Sequence, residues 1–163
     1  MSLPTQISQY LTFKLDQELY ALDISKVREV LEFSSATRVP RMPDFMRGVI
    51  NLRGNVVPVV DLKLKLGLSQ TERNVDTCVV ITEVTMDGES VVLGALADSV
   101  QEVIELQPSQ IDPPPRMGTR IDTQCIHGMG KRDDQFIILL DVDRVLSADD
   151  LQAVTKQDDV PCP

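Results

Sequence analysis

The chain has 163 residues, 42% of them hydrophobic, and a formal net charge of −9. That length bounds it to one domain, or to two small subdomains sharing a core. The acidic balance excludes nucleic acid and anionic membrane surfaces as principal partners, because clustered Lys and Arg hold both.

The elements follow in chain order. Alternation predicts a hairpin from Tyr10–Leu15 and Glu18–Asp23, turned at Asp16-Gln17. The stretch Val27-Arg-Glu-Val-Leu-Glu-Phe33 also has a helical reading, but Glu32 between apolar residues suits a strand. A loop carrying Pro40 and Pro43 leads to Met46-Arg-Gly-Val-Ile-Asn-Leu-Arg-Gly-Asn-Val-Val-Pro-Val-Val-Asp61, whose Val-rich end reads as a buried strand. Gly48 and Gly54 permit positive φ or close backbone approach. Asp61 is a favoured N-cap for a short helix over Leu62–Leu66, stopped by Gly67. A second hairpin is predicted from Thr77–Thr85 and Ser90–Ala97, turned at Asp87-Gly88. Ser147-Ala-Asp-Asp150 reads as a capping box opening a C-terminal helix through about Lys156.

The second half restates the first. Lys26–Phe33 matches Ser99–Leu106 at an offset of 73, which also carries Val39-Pro40 onto Asp112-Pro113. Val56–Leu62 matches Phe136–Val142 at an offset of 80, with Gly48 falling on Gly128. The change of offset places extra residues near Met117–Gln124. Five short strands per half, joined by tight turns, predict a mostly β fold of two small barrels with short helices. The expected domain covers 9–157, with a first barrel over 14–67 plus the helix at 147–157 and a second over 75–146. Residues 1–8 and 158–163 are expected to be flexible ends.

Chemistry is sparse. His127 is the only histidine, and with Cys125 it gives Cys-x-His, short of the roughly four ligands a zinc site needs. Gly128-Met-Gly130 reads as a hairpin turn rather than a phosphate loop. Asp133-Asp134, Asp149-Asp150 and Asp158-Asp159 read as solvated faces, since catalytic carboxylates need a confining pocket. Three cysteines (Cys78, Cys125, Cys162) argue against a disulfide framework and for a reducing compartment. No apolar run is long enough for a membrane helix, and Met1–Gln6 lacks the basic and apolar regions of a signal peptide. Arg53, between Leu52 and Gly54, has two equal readings: an internal ion pair tying the subdomains together, or a contact to a partner's acid or carbonyl.

Three segments carry a family resemblance: Ala21-Leu-Asp-Ile-Ser-Lys-Val-Arg-Glu-Val30, the Met46–Leu62 segment with its Gly-Val-x-Asn-Leu-Arg-Gly-x-x-x-Pro-x-x-Asp pattern, and Asp98-Ser-Val-Gln-Glu-Val103. With them the chain resembles the CheW family of chemosensory scaffold proteins from about Gln9 to Ala153. The resemblance implies two five-stranded SH3-like barrels around a joint core, no catalysis and no cofactor. It implies a cytoplasmic adaptor recruited to membrane receptor arrays. There it would couple the helical tip of a chemoreceptor to the regulatory domain of the CheA histidine kinase. Carried over by motif, Val27, Glu29, Val30, Gly48, Asn51, Arg53, Gly54 and Val103 would face the receptor, in a groove between the barrels. Val56 and Met117 would face the kinase. The alternatives are an adaptor of another chemosensory pathway, such as twitching motility, and a small ligand-binding or hydrolase barrel.

Overall fold

The computed structural model describes residues 7–86, 88–113 and 126–145. The first half runs β1 (Ser8–Leu15), β2 (Glu18–Asp23), β3 (Val27–Glu32), β4 (Met46–Leu52), β5 (Asn55–Asp61) and α1 (Leu62–Lys65). The second runs β6 (Cys78–Met86), β7 (Glu89–Ala97), β8 (Ser99–Leu106), β9 (Ile111–Asp112), β10 (Ile126–Arg132), β11 (Gln135–Leu140) and α2 (Val142–Val145). Met117, Asp87, Cys125, Cys162, both chain ends and the helix expected over 147–157 lie outside the described residues.

The local causes are visible. Asp16 and Gln17 adopt φ of 52° and 72°, a primed two-residue turn whose twist matches that of the flanking strands. The Asp61 carboxylate accepts the Lys63 N–H at 3.1 Å and caps α1. Gly67, at φ 83°, ends that helix. Asp141 precedes α2 but faces the Arg144 guanidinium at 3.6 Å.

The strands form two sheets, ordered β8-β1-β2-β11-β10-β9 and β3-β6-β7-β5-β4. Each half therefore lends its first hairpin to the other half's sheet. The division into contiguous barrels over 14–67 and 75–146 does not describe this pairing. The joins are parallel: β5 on β7 through Val59↔Gly94 and Val60↔Ala95, and β11 on β2 through Leu139↔Ala21 and Leu140↔Leu22. The exchange has a physical reason, because it gives β1 two cores to bury. Tyr10 enters the interior of its own sheet, while Leu11, Phe13 and Leu15 enter a layer shared by both sheets. Thr12, also buried, is satisfied by the Glu102 backbone, donating to its O at 2.7 Å and accepting its N–H at 3.1 Å.

Three apolar clusters result. One, with Ile104, Leu106, Ile137 and Leu139, fills the first sheet's barrel. Another, with Phe33, Val57, Val59, Val79 and Ile81, fills the second sheet's barrel. The largest lies between the barrels and draws on both α1 (Leu62) and α2 (Val142, Val145). Phe13 and Tyr20 stack within it at 6.2 Å between centroids, an aromatic contact worth about 0.5–1.5 kcal/mol beyond its area.

The registers bear out the internal repeat. Val30 pairs with Val80 as Val103 pairs with Leu11, and Gly48 with Val59 as Gly128 with Leu139. The irregularity at Met46/Gly48 recurs at Ile126/Gly128. Two sequence expectations need correction. The Thr37↔Val49 bridge is the counterpart of Asp112↔Met129, so Thr37 rather than Val39 corresponds to Asp112. Gly128-Met-Gly130 lies inside β10, and the turn falls at Asp133 and Asp134, with φ of 50° and 65°. Gly130 is small because an added Cβ would meet Leu106 Cδ1 at 2.8 Å.

Candidate protein-docking site

Arg53 stands at the first central position of the β4–β5 turn, with φ 52°, followed by Gly54 at 87°. The Asn51 side-chain oxygen accepts the Gly54 N–H at 2.7 Å and holds the turn. From it the guanidinium donates to both Glu29 carboxylate oxygens, Nη1 to Oε2 at 2.8 Å and Nη2 to Oε1 at 2.7 Å. This fork-to-fork pair fixes orientation as well as charge. It holds the Glu29 carboxyl below its usual range and raises the Arg53 guanidinium. Arg53 remains 69% exposed. Of its two readings, the internal ion pair is present, but it joins β3 to the β4–β5 turn within one sheet and does not tie the barrels together.

Glu29, Arg53 and Val56 line one cleft of about 480 Å³, with walls from Leu52, Pro58 and Val91. Val56, 74% exposed, thus shares a cleft with two residues expected on the receptor side. The other expected residues lie outside that lining. Val27 packs against the shared core. Gly48 is buried at φ 143°, and a Cβ there would meet the Thr37 carbonyl oxygen at 2.4 Å, so close packing explains it. Asn51 and Gly54 shape the turn. Val30 and Val103 are exposed at 38% and 49% in equivalent positions of the two sheets.

The repeat supplies a counterpart. Arg132 Nη1 donates to Glu102 Oε1 at 2.8 Å, where Glu102 is the equivalent of Glu29. The corresponding cleft, about 330 Å³, is lined by Thr12, Glu102, Arg132, Asp133 and Gln135. Where the first cleft is walled by Leu52, the second presents Arg132, and its apolar lining is Leu19, Ile104 and Ile137. Phe136, 62% exposed, is the equivalent of Val56. Sequence reasoning aligned those two residues without giving Phe136 a role; the offset of 80 was the signal that could have done so. His127 lies half-buried on β10.

The site is thus an apolar-walled cleft with a pre-oriented, exposed arginine on one of two fused barrels. The chain belongs to the CheW-like domain family, which it matches over residues 9–150. It is 34% identical over 146 residues to the chemotaxis protein CheW of Klebsiella aerogenes, covering 90% of this chain and 86% of that protein. To the chemotaxis protein CheW of Helicobacter pylori it is 32% identical over 145 residues, covering 88% and 84%. The crystal structure of the scaffolding protein TtCheW from Thermoanaerobacter tengcongensis superposes with a TM-score of 0.77 at 36% identity, covering 90% of this chain and 92% of that one. The mostly β, two-barrel fold expected from the resemblance is observed, with the short β9 making a sixth strand in the first sheet. Among the described residues no helix is long and apolar enough to cross a membrane.

Proposed function

We propose that this protein is a chemotaxis coupling adaptor that joins chemoreceptor tips to the CheA histidine kinase and does no chemistry itself. Family membership over residues 9–150 supports the adaptor reading. The single structural observation in its favour is the cleft at Arg53, where an exposed guanidinium is already held by Glu29 beside apolar walls. A receptor helix offers apolar side chains at i, i+3 and i+4 spacing, which the Leu52, Pro58 and Val91 walls can take.

On this reading Arg53 and Glu29 orient the receptor tip, Asn51 and Gly54 shape the turn, and Val27, Val30 and Val103 add apolar contact. Gly48 acts indirectly, by letting the Thr37 backbone pack on β4. Val56 serves the kinase's regulatory domain, as does Met117. The protein acts in the cytoplasm and reaches the membrane through the receptor.

Co-sedimentation with receptor-bearing membranes, with and without the kinase, tests the proposal. The protein is expected in the pellet with receptor, and the kinase only when the protein is added. Kinase sedimenting equally well without it would overturn the coupling role. Val56→Ser is expected to weaken kinase capture and leave folding intact, since the side chain is largely in solvent.

A further inference from the structure

The segment between β3 and β4 builds a second concave surface, away from the Glu29–Arg53 cleft. Two cavities of about 610 and 320 Å³ share Arg38, Asp44, Met46 and Arg47 in their walls. Arg41 lines only the larger and Arg73 only the smaller. Four of the 16 Lys and Arg residues of a chain with net charge −9 are thus gathered on one depression. Two acids also line it. Asp61 is buried and fully engaged, accepting from Thr71 N at 2.9 Å, Thr71 Oγ1 at 2.7 Å and Lys63 N at 3.1 Å. Asp61 also pairs with Arg47 at 3.8 Å, which leaves Asp44 as the exposed carboxylate against the other three guanidinium groups.

Arg47 is the fixed member. Its guanidinium lies 5.7 Å from the Phe33 ring centroid, and Nη1 donates to the Thr71 carbonyl at 2.8 Å. The same Nη1 lies 3.8 Å from the Asp61 carboxylate, so Arg47 is already ion-paired, and of its five N–H donors only those on Nη2 and Nε stay available. Arg38, Arg41 and Arg73 are exposed and make no hydrogen bond or ion pair with the described residues. Arg41 sits at φ 67°, a left-handed conformation that a non-glycine residue enters only under constraint. Guanidinium forks match carboxylates bidentately. Between the arginines lie Pro40, Met42, Met46 and Leu64. A bare ion would use only the cations, whereas this lining also offers apolar surface along a depression running through two cavities.

We propose that this depression binds an acidic peptide segment of a partner protein. Arg38, Arg41, Arg47 and Arg73 take its carboxylates, and Met42 and Met46 take its intervening apolar side chains. The site is independent of the Arg53 cleft and of the receptor assigned to it.

The test uses the full chain and a fluorescein-labelled peptide repeating Glu-Leu-Asp, with a twin repeating Gln-Leu-Asn, read by anisotropy. The acidic peptide is expected to bind at least about tenfold tighter than its twin, and Arg38→Gln with Arg73→Gln to weaken it by a similar factor. Arg41→Gly, which suits the backbone there, is expected to weaken binding without lowering the melting temperature. Lys14→Gln with Lys131→Gln, an equal loss of charge elsewhere, and Arg53→Ala are both expected to leave the affinity unchanged. Equal binding of the two peptides would overturn the proposal. So would equal losses in the charge control, loss in Arg53→Ala, or full displacement by excess inorganic phosphate, which would mark a small-anion site only.

Discussion

Arg53 and Glu29 stand on opposite margins of one five-stranded sheet, and their bidentate pair fastens those margins together. Glu29 lies on β3, at one end of the order β3-β6-β7-β5-β4, and Arg53 turns the chain between the last two strands. Arg132 and Glu102 form the counterpart pair in the other sheet, joining the marginal β8 to β10, which is next to the short marginal β9. A sheet rolled into a barrel must bring its edges together, and both halves mark that closure with an ion pair from the same glutamate position. Only in the first half does the arginine sit on the turn itself; Arg132 ends β10, one residue before its turn.

Arg53→Ala is expected to leave folding nearly unchanged and to weaken binding of a receptor-tip fragment on the order of tenfold. Exposed pairs contribute little to stability, whereas a pre-oriented fork contributes directly to a docked contact. Arg53→Lys should not restore affinity, because an ammonium cannot reproduce two parallel N–H donors. A urea midpoint and a fragment titration on each variant check this. Unchanged affinity in a folded Arg53→Ala protein removes the receptor role from this residue.

The same pair carries a pH dependence. Arg53 donates two hydrogen bonds to Glu29 and holds its carboxyl below the usual value of 4.5. The pair is therefore complete above that value and is lost as pH falls through the lowered one. Carboxyl-carbon NMR titration of Glu29 should show a lowered midpoint that returns toward the ordinary range in Arg53→Ala. An identical midpoint in both proteins would mean that the guanidinium does not engage the carboxylate in solution.

The hairpins and the Asp61 cap were legible because their causes are local. Asp16-Gln17 between alternating strands, and Asp61 before Leu62, each act within a few residues. The repeat was legible as well, through Glu29 over Glu102 and Val56 over Phe136. The exchange of hairpins was not, since alternation reveals which face of a strand is buried and says nothing of its partner. β4 and β10 escaped notice because Gly48, Gly128 and Gly130 dilute their pattern, and Gly48 and Gly130 are required by contacts from the distant Thr37 and Leu106. Arg53 was legible as a cation in need of a partner, but Glu29 is 24 residues away and no spacing rule selects it.

Asp61 anchors the end of β5 more firmly than an N-cap alone. Its carboxylate is 1% exposed, accepts three hydrogen bonds, and lies 3.8 Å from Arg47 Nη1. Asp61→Ala is expected to cost on the order of 3–5 kcal/mol, because buried donors on Thr71 and Lys63 lose a charged acceptor together. Thr71→Val, which removes one of the three bonds, should cost about 1–2 kcal/mol. Urea unfolding of the two variants gives the ordering, and a loss near 1 kcal/mol for Asp61→Ala would assign the residue a capping role only.

Gly48 and Gly54 separate packing from turn geometry. At Gly48 an added Cβ would lie 2.4 Å from the Thr37 oxygen and 2.9 Å from its carbonyl carbon, both backbone atoms. Gly48→Ala must push the Thr37 segment off β4, at about 2–4 kcal/mol. The two Thr37–Val49 hydrogen bonds, each 2.8 Å, should open with it. At Gly54 nothing lies within 4 Å of the added atom, so Gly54→Ala meets only the left-handed backbone penalty, about 1 kcal/mol. Amide exchange distinguishes them. Gly48→Ala should deprotect Thr37 and Val49 while Gly54→Ala leaves both protected, and equal protection in the two variants would show that the loop yields without leaving the strand.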